Sequence, residues 1–178
     1  MAVKRNDNKF NNIVKDLQTK DVNKVLTAIK QLRKSGKPEA IPPLLEVYLS
    51  KPEEEIKQAI TELLFDLKAD NTTVAIINAI ENEKYSSIQP FLISVLWQSS
   101  LDASPHIAFL VQQAIDGSYL SCLEVLTVIE NFDATFNEDE INDLVYDLEE
   151  AIEYEEDEEK QKLLISLRMV LQQLNIEF

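Results

Sequence analysis

Aliphatic pairs recur along this chain at an almost constant interval. Ile29/Leu32, Ile60/Leu63, Leu92/Val95 and Val125/Val128 follow one another at steps of 31, 32 and 33 residues. Each pair lies in an amphipathic segment preceded by a second such segment, the pattern of stacked helical hairpins. No single hairpin of such a stack can bury its apolar face without its neighbours. A stack also offers extended surface, so the repeat itself points towards binding.

Val, Ile and Leu fall at three- and four-residue spacing instead of alternating, which predicts helices and argues against strands. Ten segments follow, at about 8–18, 21–34, 38–50, 53–68, 72–82, 86–100, 104–115, 118–131, 137–153 and 157–174. Asp21 is placed to cap the second, Ser104 with Pro105 opens the seventh, and Asn137 with Glu140 has the form of a capping box. The two glycines, Gly36 and Gly117, each stand between helical patterns and read as left-handed C-caps. So few glycines, so far apart, exclude the glycine-rich loops of dinucleotide- and phosphate-binding folds. The expectation is an all-α chain of five antiparallel hairpins, one domain over residues 1–178 with a C-terminal acidic hairpin at 137–174.

The second hairpin, Ile41-Pro42-Pro43-Leu44-Leu45-Glu46-Val47-Tyr48-Leu49-Ser50-Lys51-Pro52-Glu53-Glu54-Glu55-Ile56-Lys57-Gln58-Ala59-Ile60-Thr61-Glu62-Leu63-Leu64, resembles a HEAT repeat. That family's pattern has an apolar first helix, a proline in the turn, then an aliphatic, a basic and a small residue opening the second helix. Pro52, Ile56, Lys57 and Ala59 stand in those places, with Lys57 where an arginine is usual and Ser50-Lys51 where an aspartate is common. The resemblance extends over about 20–131 and implies a right-handed α-solenoid. It also implies a scaffold or adaptor role, since only a minority of such proteins are lyases or nucleic-acid repair enzymes.

Charge is distributed unevenly. Met1 to Lys84 holds 14 basic and 13 acidic residues, whereas Tyr85 to Glu159 holds 18 acidic residues and no lysine or arginine. Glu138 to Glu159 alone carries 13 carboxylates. Such a field repels phosphate backbones and draws in basic partners, so direct nucleic-acid binding is not expected. The alternative is that these acids form only the solvated face of the ninth segment and of a turn. No stretch approaches 18 consecutive apolar residues, so the expectation is a soluble cytoplasmic protein without a membrane partner.

Candidate contact residues come from the repeat register. On the fourth segment Ile56, Ile60, Leu63 and Leu67 share a face, with Phe65 nearly opposite Ile56. Trp97 bears the same relation to Ile88, Leu92 and Val95, one repeat later. The corresponding positions on the other inner segments are Lys34, Glu130 and Met169. Two readings stay open for Phe65 and Trp97: aromatic anchors on a concave binding face, or core residues of a widely buried helix.

Catalytic groups are scarce. The single histidine, His106, follows Pro105 in a first helical turn, and the single cysteine, Cys122, lies in an apolar run that suggests burial. Asp133, Asn137 and Asp139 are spaced as in a calcium loop, but Glu138 and Leu144 occupy positions that need glycine and a bidentate carboxylate. No cofactor or metal is expected. The function expected is a non-catalytic interaction scaffold or adaptor that binds a protein partner on its concave face, the acidic field steering a basic one. The apolar last segment also leaves room for a homodimer. Two alternatives remain: an acidic decoy that captures a basic nucleic-acid-binding protein, and a self-associating structural protein.

Overall fold

The computed structural model describes the backbone of residues 2–69 and 71–177 and the side chains of 9–69 and 71–176. Among the described residues the fold is all-α, with ten α-helices and one pair of three-residue strands. The chain divides into two compact units, Met1–Ser86 and Ser87–Phe178.

The first unit contains α1 (Ala2–Leu17), α2 (Val22–Ser35), α3 (Ile41–Ser50), α4 (Glu54–Asp66) and α5 (Thr72–Glu81). Helix α2 packs on α1 and α4, while α3 packs on α1, α4 and α5. Asp21 caps α2 as expected, its carboxylate accepting from the Lys24 amide at 3.2 Å. Gly36 ends the helix in the left-handed conformation at φ 61°, its N–H donating to the Leu32 carbonyl. Two polar contacts cross one repeat interval. The Lys51 ammonium donates to the Thr19 carbonyl, 32 residues earlier, at 2.8 Å. The Arg33 guanidinium reaches from α2 to Asp66 and Glu62 on α4.

The second unit contains α6 (Gln89–Gln98), α7 (Ile107–Asp116), α8 (Tyr119–Glu130), β1 (Thr135–Asn137), α9 (Glu138–Tyr154), α10 (Glu158–Leu171) and β2 (Asn175–Glu177). Helix α8 packs on α6, α7 and α10, and α9 packs on α7 and α10. Here too a bond spans one repeat: the Ser121 hydroxyl donates to the Gln89 side-chain oxygen, 32 residues away, at 2.9 Å. Asn137 caps α9 by accepting from the amides of Asp139 and Glu140.

All eight residues of the repeating pairs are buried, none more than 3% exposed. Each contributes roughly 1.5–3 kcal/mol of apolar transfer free energy. Truncating one, such as Leu63, would cost roughly 2–5 kcal/mol through the cavity left behind.

The structure departs from the sequence reading in four places. Helix α1 begins at Ala2, six residues before the first segment. The third, sixth and seventh segments do not begin as α-helix; 3-10 turns at 38–40, 83–88 and 104–106 precede them. Pro38 and Pro105 suit such turns because a first-turn residue needs no amide hydrogen. Gly117 is not a left-handed cap: it is extended at φ −83° and ψ −176°. Glycine is required there for space, since a Cβ would meet the Gln113 carbonyl oxygen and lie 2.7 Å from the Ser121 Cβ. Finally, β1 and β2 pair in parallel, with Phe136 opposite Ile176. Three-residue strands are too short for alternation to register in a sequence.

Candidate partner-binding cleft

Helices α6 and α8 run side by side, and the turns that close them frame a cleft of about 390 Å³. Its apolar wall comes from Leu96, Trp97, Leu101 and Phe132, and its polar rim from Asp102, Asn131 and Asp133. The backbone turns sharply out of α6 at Ser100, which takes the left-handed conformation at φ 53° and also lines the cleft.

Trp97 is held in one orientation. Its indole N–H donates to the Glu124 carboxylate on α8 at 2.8 Å, a charge-assisted bond between part-buried groups. The ring is half-buried, neither in the core nor free on the surface. Phe132 is braced from behind by Phe136 of β1, the ring centroids 5.9 Å apart. Because β1 pairs with β2, the strand after α10 supports the wall of a cleft built by α6 and α8.

Asp102 is poised as an anion. The Ser104 hydroxyl and amide donate to its Oδ1 at 2.6 and 3.0 Å, and these bonds hold its carboxyl below the usual range. Desolvation acts in the opposite sense, and the coulombic influence of nearby His106 lowers it further. With both bonds directed to Oδ1, Oδ2 is left as an acceptor among the described residues.

The five residues singled out by register are distributed as follows. Trp97 lines this cleft; Glu130 is exposed on the same helix as Glu124 but does not line it. Met169 is half exposed on α10, outside it. Lys34 and Phe65 belong to the first unit, where Lys34 is exposed on α2 and lines a separate cleft, and Phe65 is half-buried on α4. Asp102, Phe132 and Asp133 escaped the register argument because they lie in the turns after helices, where a helical period assigns no face.

The single cysteine and the single histidine do not line the cleft. Cys122 is fully buried on α8, and burial pushes its thiol up to about 11, although the Lys160 charge acts in the opposite sense. A thiol held that high is protonated at neutral pH and a poor nucleophile. His106 is half-buried at the start of α7. Among the described residues no group of three or more His, Cys, Asp or Glu could hold a metal ion, and no helix is long and apolar enough to cross a membrane. Compared with family models, with curated proteins and with solved structures, the chain matches none.

Proposed function

We propose that this chain is a non-catalytic protein-interaction module, a HEAT-like stack of helical hairpins, that captures a lysine- or arginine-bearing segment of a partner protein in the Trp97 cleft. The observation that carries the reading is the juxtaposition of an oriented indole with two rim carboxylates, Asp102 and Asp133, on one cleft. A cation is attracted to the face of an indole and, in the same pocket, to a carboxylate with a spare lone pair. The surrounding charge favours the same partner, because no lysine or arginine occurs between Tyr85 and Glu159. Long-range attraction of this kind raises association rates at low salt, while the aromatic wall supplies contact that salt does not screen. Of the two register aromatics only Trp97 enters this cleft, since Phe65 belongs to the other unit.

Trp97 is the only tryptophan of the chain, so its fluorescence reports the cleft directly. Titration with short lysine- and arginine-rich peptides should shift and quench that emission. Asp102→Asn with Asp133→Asn should weaken binding about tenfold, the sum of two modest charge contacts. Trp97→Ala, followed by calorimetry, should weaken it at least as much. Peptide binding that is indifferent to all three substitutions and vanishes at moderate salt would instead favour the acidic-decoy reading; no binding at all would end the proposal.

A further inference from the structure

The two ends of the chain carry opposite charge, and each presents exposed charge of one sign beside an apolar or aromatic surface. Residues 1–37 hold ten lysines and arginines against three acids, while Glu138 to Glu159 holds 13 acids and no base. On the first hairpin, α1 and α2 enclose a cleft of about 260 Å³. Phe10 and Ile13 form its apolar floor, and Lys9, Lys34 and Lys37 surround it. The Lys37 ammonium lies over the Phe10 ring, 5.5 Å from the centroid. Lys9 and Lys34 are exposed and make no ion pair among the described residues.

On the acidic hairpin, α9 buries Ile141, Leu144 and Leu148. At 100° per residue, Asp143, Tyr146, Asp147, Glu150, Glu153 and Tyr154 fall on the opposite face within an arc of roughly 120°. All six are exposed, the two tyrosines by 68% and 73%. The four acids of this stripe make no ion pair among the described residues. An exposed tyrosine pair flanked by unpaired carboxylates is a contact surface with an apolar body and a charged rim.

We infer that the α1–α2 cleft of one molecule receives the α9 stripe of a second copy of this chain. A stripe tyrosine packs against Phe10 and Ile13, and its flanking carboxylates meet Lys9, Lys34 and Lys37. The two surfaces differ, so the contact is head-to-tail, and each added molecule leaves one cleft and one stripe free unless a ring closes. These surfaces are separate from the Trp97 cleft, and the inference stands or falls independently of partner capture there.

Sedimentation velocity across a wide concentration range tests it. At about 20 mM salt the mass should rise above the 20.4 kDa monomer with concentration, and at about 300 mM salt it should return there as screening shortens the reach of surface charge. Lys9→Gln/Lys34→Gln/Lys37→Gln should weaken association more than tenfold, and so should Tyr146→Ser/Tyr154→Ser, each with an unchanged melting temperature. Mixed together, the two variants should form a 1:1 heterodimer and nothing larger, because only one intact cleft and one intact stripe remain per pair. A wild type that stays monomeric at low salt, or association that survives the lysine substitutions, overturns the inference. Binding of a short DNA or RNA by a persistent monomer, lost on the same substitutions, would assign the cleft to nucleic acid and likewise overturn it.

Discussion

The Lys160 ammonium, in the first turn of α10, donates to the carbonyl of Ile115 in the last turn of α7 at 2.7 Å, across 45 residues of sequence. It also pairs with Glu155 at 2.8 Å, the two side chains only 11% and 17% exposed. A lysine in the first turn of a helix opposes the helix dipole, so its position there reflects tertiary need. The ammonium satisfies a carbonyl at a helix end, where intrahelical partners run out, and it ties α10 to α7.

Lys160→Met should therefore destabilise the protein, although methionine fills the same space. The substitution leaves the part-buried Glu155 without its cation and the Ile115 carbonyl without its donor. Breaking a partly buried pair in this way costs about 2–3 kcal/mol. The melting temperature should fall by about 5–10 °C, measured by circular dichroism.

Acid should act on the same contact. The hydrogen bond from Lys160, and then that from the Asp157 amide, hold the Glu155 carboxyl below its usual value of 4.5. A group depressed in the folded state adds stability that is complete above its unfolded pKa and is lost as pH falls through its folded pKa. The stability advantage of the wild type over Glu155→Gln should be constant from pH 7 down to about 5, then shrink below the unfolded value near 4.5. Urea melts of both proteins at several pH values measure the difference. A gap that stays level down to pH 3 would remove the ion pair from the account.

The two glycines should respond differently to substitution. Gly36 lies in open space at φ 61°, so only its backbone conformation resists a side chain. Gly36→Asn should cost little, because asparagine tolerates the left-handed region, and Gly36→Ala about 1 kcal/mol. At Gly117 the backbone is ordinary but the space is filled by Gln113 and Ser121. Alanine and asparagine should both cost about 1–3 kcal/mol there, by overpacking. Thermal melts of the four variants separate a conformational requirement from a steric one.

Local pattern carried much of the fold into view. All four pairs at 31 to 33-residue steps are core residues, and nine of the ten helical segments lie within a few residues of the observed helices once the 3-10 turns are set aside, α1 alone beginning six residues earlier. The signal is strong because burial of one face imposes a 3.6-residue period on the sequence wherever a helix packs. The acidic field was equally legible, since charge is a property of composition.

Trp97 shows where that reasoning stops. Its register placed it opposite the buried stripe, yet whether the ring is core or contact depends on Glu124, 27 residues away on another helix, and on the turn that brings Phe132 beside it. Lys160 and Gly117 are similar cases: a lone base after a run of acids and a glycine after a helix have several local meanings. Periodicity records which face of a helix leaves water, and so the helices and their apolar faces are written in the chain. Clefts, anchored side chains and long-range ion pairs depend on which neighbours those faces meet, and that is settled by packing between residues far apart in the sequence.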